Sequence, residues 1–482
     1  MRGVRIGYVS DVEGHLDYWK RYVSASEVLE FGRDGDELVL REDSWFVYGG
    51  DAVDKGPGDI RLCRSLARLK RRYPFRVFLL VGNRDLNKLR MSSEVVVESP
   101  DEVAAPHWDR SAMPYAEYLR EESLPNDKAA KCRWLLEHTL GCPKTFEWRR
   151  EELEALGLAC CDEAVATSFE TDASPGGALR EYLELANVAV RIGSTLFVHG
   201  AVDALSAGFV PPLETRFAVG TTDDVAYPPS RTFFENKVDD WIAGLDDLLR
   251  AGLAEHARQP QRREDGWRGG EALMALQNRC AVWGRSVVSN AWADGGNVDS
   301  AAARERRERV WAAEPSALAF EAGSYTSDAR DPRVAAWLRE SGITRVVSGH
   351  RPVGDSPAVL SSAYHGVEMV CADTSYSDTT APDNRGKALA AFIIEGPDLE
   401  TCTRSRLKGV LSDGRLYDCS MPYLPLSSSS SSSWGGDALL GTVTEDGWWF
   451  KAVVEGGKKY LQSRGEGRRV EYRDVPRPPL RD

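Results

Sequence analysis

The sequence has no C-x-x-C pair among its nine cysteines, no long apolar run and no surplus of basic charge. Each absence excludes something. Scattered cysteines, with only Cys160 and Cys161 adjacent, fit neither a thiolate metal cage nor a disulfide framework, and read as reduced thiols. No stretch approaches the roughly 18 apolar residues that a membrane span needs, so no membrane partner is expected. A formal net charge of −13 argues against a broad basic surface for nucleic acid. P-loop, G-x-G-x-x-G and G-x-S-x-G motifs are also missing, which leaves nucleotide-triphosphate folds and serine hydrolases without support. Val4 to Val9 already reads as a core strand, so no cleavable leader is expected and the expected location is cytoplasmic.

What is present is an alternation of strands and helices. Val4 to Val9, Ser44 to Tyr48 and Phe75 to Val81 are short apolar runs, and Leu62, Leu66 and Leu69 mark a basic amphipathic helix between the second and third. That rhythm predicts a parallel βαβ layer and an α/β fold. From about 86 to 190 the pattern turns helical, with helices predicted over Ala116 to Glu122, Ala129 to Leu140, Phe146 to Leu156 and Leu179 to Val190. A fourth strand, Ser194 to Val198, precedes a second helical stretch at about 236–340, whose charged part, Ala301 to Arg309, is expected on the surface. Ile343 to Val347, Val367 to Cys371 and Leu389 to Ile394 read as further strands. Residues 1–400 thus form one domain with two helical insertions. Residues 401–482 read as a small β extension carrying the serine run Ser427 to Ser433, a strand from Leu440 to Val443 and a proline-rich end. The extension supplies no strand-end ligand, so it is expected to be dispensable for chemistry.

Five strand ends carry the chemistry. Each apolar run stops at a residue able to bind a hard or borderline metal: Asp11, Asp51, Asn83, His199 and His350. Glycine stands beside four of them, where it permits a sharp turn and a close ligand. Loops after the carboxyl ends of strands in an α/β sheet converge on one crevice, so residues far apart in sequence are predicted to meet.

Asp11-Val12-Glu13-Gly14, Gly50-Asp51-Ala52-Val53-Asp54-Lys55-Gly56, Gly82-Asn83-Arg84-Asp85, Val198-His199-Gly200 and Ser348-Gly349-His350 resemble the ordered motifs of calcineurin-like metallophosphoesterases. The nearest flavour is the branch of phosphoprotein phosphatases and symmetrical diadenosine tetraphosphatases. The resemblance implies an α-β-β-α sandwich over roughly residues 4 to 395. It also implies two divalent metals; the ligand types suit Mn, Fe, Zn or Mg, and the carboxylate at Glu13 favours manganese. Asp51 would bridge them, Asp11 and Glu13 would complete the first site, and Asn83, His199 and His350 would hold the second. A hydroxide between the metals would attack phosphorus in line.

The chain departs from that pattern in three places. Glu13 stands where the family has His, which makes the first site richer in oxygen, and His15 is the alternative ligand. Arg84 replaces a His assigned to the leaving group. Guanidinium cannot give up a proton, yet it can offset charge on phosphate oxygens, with Asp54 and Asp85 as the residues expected to orient it. The other reading has Arg84 only pairing with those carboxylates. Lys55 stands where phosphoprotein phosphatases carry a phosphate-binding Arg, and Arg351 offers a second guanidinium. Asp373 to Ser377 reads as a plain turn sooner than as support for the site.

The expected function is hydrolysis of phosphate esters or phosphoanhydrides. The phosphorylated substrate is a small molecule, a dinucleotide polyphosphate or a phosphoprotein. A non-catalytic pseudophosphatase that binds a phosphorylated partner is the rival.

Overall fold

Side-chain alternation along the first strands decides the layering. In β1 (Val4–Val9), Ile6 and Tyr8 point to one face and Val9 to the other, and β4 (Ser44–Tyr48) sends Val47 one way and Phe46 and Tyr48 the other. Two buried faces per strand require a layer on each side, and the computed structural model has them. It describes residues 3–33, 37–103, 112–200, 202, 206–214, 232–233, 238–264, 266–274, 332–350, 353–361, 366–374, 387–400, 404–421, 437–466 and 469–478. Arg351, Ala301 to Arg309, Ser375 to Ser377 and the serine run lie outside the described residues.

The remaining strands are β2 (Leu29–Phe31), β3 (Leu38–Leu40), β5 (Val77–Leu79), β6 (Ala189–Ile192), β7 (Thr195–Val198), β8 (Phe209–Val210), β9 (Thr232–Phe233), β10 (Arg345–Ser348), β11 (Ala358–Leu360) and β12 (Glu368–Cys371). After them come β13 (Leu389–Gly396), β14 (Arg404–Val410), β15 (Leu416–Ser420), β16 (Trp449–Val454), β17 (Lys459–Glu466) and β18 (Arg469–Pro476). One sheet has the order β18-β17-β16-β15-β14-β13-β1-β4-β5, the other β11-β12-β10-β7-β6. Strands β1, β4 and β5 run parallel, as do β7, β10 and β12. The strands after residue 401 continue the first sheet through β13 and β14.

Between the sheets Ile6, Tyr8 and Val47 meet Phe197, Val347 and Val370, with Tyr8 stacked on Phe197 at 5.8 Å between ring centroids. On the outer side of the first sheet lie α1 (Leu16–Ala25) and α2 (Asp59–Arg72), whose Tyr18, Trp19, Leu62 and Leu66 cover Phe46 and Tyr48. Each such side chain stabilises the fold by about 1.5–3 kcal/mol when fully buried. The helix predicted around Leu62, Leu66 and Leu69 is α2, and its last turn carries Lys70, Arg71 and Arg72 against the negative end of the helix dipole.

The first insertion holds α3 (Asn83–Asn87), α4 (Met91–Glu94), α5 (Tyr115–Glu121), α6 (Lys128–Trp134), α7 (Thr145–Ala155), α8 (Asp162–Ala173) and α9 (Ala178–Leu185). A π-helical turn, Leu135–Thr139, extends α6. Helix α8 escapes the sequence reading because Thr167, Thr171 and Asp172 interrupt its apolar pattern. The helix predicted from Leu179 to Val190 ends early. Ala186 turns extended, the Asn187 N–H donates to the Leu79 carbonyl at 2.8 Å, and β6 takes over. Leu440 to Val443 is a turn with one bridge residue, not a strand, since Gly441 sits at φ +76°. In the second insertion α10 (Val238–Arg258), α11 (Glu271–Met274) and α12 (Pro332–Glu340) are described, and Trp241, Leu245 and Leu338 cover the outer face of the second sheet beside Leu196, Val198 and Val346.

Candidate metal centre

The loops after β1, β4, β5, β7 and β10 are laced to one another. The Asp11 N–H donates to Gly50 O at 3.0 Å, the Glu13 N–H to Asp51 O at 3.0 Å, the Gly349 N–H to His199 O at 2.9 Å, and the His350 N–H to both carboxylate oxygens of Asp11 at 3.1 and 3.0 Å. The Asp85 carboxylate accepts the N–H groups of Gly82 (2.8 Å), Asp51 (3.0 Å) and Ala52 (2.8 Å). Asp85 therefore fixes loop backbone, and Arg84 is oriented by Asp54 instead. Asp11, Glu13, Asp51, Asp54 and His350 all have positive φ, from 49° to 125°. Such backbone strain in residues other than glycine concentrates at functional sites.

His199 is fully buried, and its Nδ1 lies 2.8 Å from the Gly49 carbonyl. That bond aims Nε2 at Asn83 Oδ1, 3.0 Å away, and at Asp51 Oδ1, 3.3 Å away. One ligand atom each from Asp51, His199 and His350 lies within 4.8 Å of the others. A Cβ on Gly82 would collide with the Asp51 carboxylate, so only glycine lets β5 deliver Asn83 this close. Imidazole, carboxylate and amide converging in this way suit a borderline divalent metal.

The Glu13 carboxylate meets Lys55 Nζ at 3.0 Å and Arg84 Nε at 2.7 Å. His15 caps α1, its Nδ1 accepting the Tyr18 N–H at 3.2 Å. Arg84 also pairs with Asp54 through Nη1 at 2.5 Å, and its backbone N–H donates to Asp51 Oδ1 at 2.9 Å. Two residues missed by the sequence reading belong here. Lys88 Nζ lies 2.6 Å from Asp54 Oδ1, and Thr145 of α7 donates its hydroxyl to the Asp54 carbonyl. Neither ends a strand, so no motif points to them. Helix α7 braces the neighbouring turn too, where Glu152 accepts the Ile60 and Arg61 N–H groups at the start of α2.

The electrostatics are those of crowded, buried anions. Burial pushes the Asp11 carboxyl up to about 7 against the pull of His199. Burial also pushes up Asp51, but His199, Arg84 and His350 together hold it well below the usual range. Burial alone would keep His199 neutral, and Asp51 and Asp11 raise it to about 10. Asp54, despite burial, is held down to about 2 by Lys88 and Arg84. Asp51 and His199 thus hold each other in their charged forms across 3.3 Å, and protons and metals compete for ligands of this kind.

No protein-family model and no curated protein matches the chain. Among solved structures it is similar to a cold-active protein tyrosine phosphatase, at 14% identity over 86% of this chain and 78% of that one, with a TM-score of 0.38. The enzyme of that kind from a psychrophilic Shewanella species scores 0.37 at 14% identity, covering 86% of this chain and 80% of that one. A protein serine/threonine phosphatase from Saccharomyces cerevisiae scores 0.31 at 10% identity, covering 81% and 72%. Likeness this loose carries no weight for function. What stands is an α/β sandwich of two sheets flanked by helices, with its strand-end residues gathered at one edge.

Proposed function

We propose that the chain is a dinuclear metal-dependent hydrolase of phosphate esters or phosphoanhydrides. One observation carries the reading: Asp51, Asn83, His199 and His350 arrive from four different strand ends with Asp51, His199 and His350 offering ligand atoms within 4.8 Å of one another. Asp51, Asn83, His199 and His350 would hold one ion. Asp51, Asp11 and a further oxygen donor would hold the other. Two divalent ions supply a nucleophile from water at neutral pH and draw charge from phosphoryl oxygens. The chain's own groups do the rest. The Gly49 carbonyl orients His199, Asp85 sets the loop that carries Asp51, and Arg84 and Lys55 bring cationic charge to the rim where phosphate oxygens would lie.

A phosphate-substrate panel assayed with Mn, Mg, Fe and Zn in parallel, on wild type and Asp51→Asn, tests this. Turnover that requires metal and falls at least about a hundredfold in the variant is expected, since Asp51 would serve both ions. Equal metal content and activity in both proteins would sink the reading. The engagement of Glu13 by Lys55 and Arg84 favours a second reading, a non-catalytic phosphate-binding protein. In that case the panel would show metal and phosphate bound without turnover.

A further inference from the structure

Among the described residues, six parallel strands reach the site edge, and five of their ends have been accounted for. The sixth is β12. It pairs with β10 so that Ser348 lies opposite Cys371, and the Ala372 N–H donates to Ser348 O at 2.8 Å. Asp373 thus follows β12 much as His350 follows β10, one strand over. Its carbonyl accepts the Val353 N–H at 2.9 Å, and the Cys371 thiol donates to Gly349 O at 3.3 Å, which ties the two strand ends together.

The Asp373 side chain is 3% exposed, and its Oδ1 has no hydrogen-bond partner among the described residues. The charges acting on it are Asp11, Glu13 and Asp51, all anionic, with Lys55 the one cation among the strongest influences. Lys55 is already paired with Glu13. Among the described residues, six buried carboxyls (Asp11, Glu13, Asp51, Asp54, Asp85 and Asp373) crowd this edge, and Arg84, Lys55 and Lys88 are already paired with Glu13 and Asp54. Buried carboxyls without a compensating cation are strongly disfavoured.

We propose that Asp373 is a metal-ligating carboxylate on the Asp11 and Glu13 side of the centre, making that side an all-oxygen site selective for Mn or Mg. The assignment rests on the dinuclear reading and goes beyond it by naming a donor and the class of ion. Asp11, Asp51 and Asp373 would offer that ion only hard oxygen, whereas Asp51, His199 and His350, whose ligand atoms lie within 4.8 Å of one another, would hold the other. Hard donors prefer Mn and Mg over Zn.

The test uses chelator-stripped full-length wild type, Asp373→Asn and, as a second variant, Asp373→Ser. Manganese binding is measured by calorimetry, and melting temperature with and without manganese. Wild type should take two Mn. Each variant should lose at least about tenfold in affinity at one site only, in line with the losses seen when groups around a metal are removed. Without metal the variants should melt at or above wild type, because a carboxyl buried among other carboxyls with one oxygen unpartnered has gone, and manganese should raise their melting point less. Two sites of wild-type affinity in the variants would overturn the assignment. So would a lower apo melting point with an unchanged manganese effect, or failure of both variants to fold. Wild type that binds no manganese would instead overturn the dinuclear reading beneath it.

Discussion

Lys451 of β16 donates through Nζ to the Val353 carbonyl at 2.6 Å, three residues beyond His350. Nearby, Tyr472 accepts the Asp355 N–H at 2.9 Å, and the Ser412 backbone and hydroxyl both reach the Asp355 carboxylate. The C-terminal strands therefore grip the segment that leads away from the centre. Burial pulls Lys451 down to about 7, with Asp355 opposing, against about 10.4 in an unfolded chain. Between those values the folded state binds fewer protons than the unfolded one. Stability from this group is then lowest below about pH 7 and rises toward pH 10.4. Lys451→Met should consequently help most at pH 6.5, and its melting-temperature difference from wild type should shift in wild type's favour by pH 9.5. A difference independent of pH would contradict a depressed Lys451.

Dispensability of residues 401–482, as the sequence suggests, sits poorly with this packing. Leu407, Tyr417, Ala452 and Val454 fill the same inter-sheet core as Ile6 and Tyr8. Truncation near Thr401 removes these residues and uncovers the edge of β13, an invitation to aggregation. The truncated chain should be insoluble or bind manganese poorly. A soluble, metal-loaded, active truncation would show the extension to be a mere attachment.

Asn83, His199 and His350 should behave as one unit if they hold a single ion. Each change to Ala should remove most turnover, and the triple variant should be scarcely worse, because groups that act together are strongly non-additive. Mutant kinetics and metal content measured side by side decide the matter. Three small additive losses would break the unit apart.

Under the proposed hydrolysis, Arg84 would act on the leaving group. Held by Glu13 and Asp54, it offers a fixed cation but no proton. General-acid help is worth about 10²–10⁴-fold for poor leaving groups. Aryl phosphates and phosphoanhydrides should therefore outrun alkyl phosphomonoesters, and Arg84→His should narrow the gap. The measurement is kcat/KM against leaving-group pKa for both proteins. A flat dependence in wild type would remove Arg84 from this role.

How much was legible in the sequence depends on how local the signal is. Asp11, Asp51, Asn83, His199 and His350 announce themselves because each closes an apolar run, and glycine marks most of the turns. Asp373 closes one as well, yet it is followed by Thr374 and Ser375, which read as an ordinary turn. Its meaning lies in which strand stands beside β12, and that is a tertiary fact. Lys88 and Thr145 reach Asp54 from helices whose periodicity says only which face is buried. The continuation of the first sheet past residue 401 is hidden for the same reason, since β1 pairs with β13 across most of the chain's length.

Asp85 is spent on backbone: its two oxygens fasten three amides from the β4 and β5 turns. Replacing one oxygen by an amide nitrogen would set donor against donor inside a closed space. A saturation-mutagenesis map scored by lost turnover would therefore rank Asp85 with the ligands themselves. Intolerance to substitution at this edge reports the scaffolding of the turns as faithfully as it reports chemistry, and a map of that kind must be read against metal content before any position is named a participant.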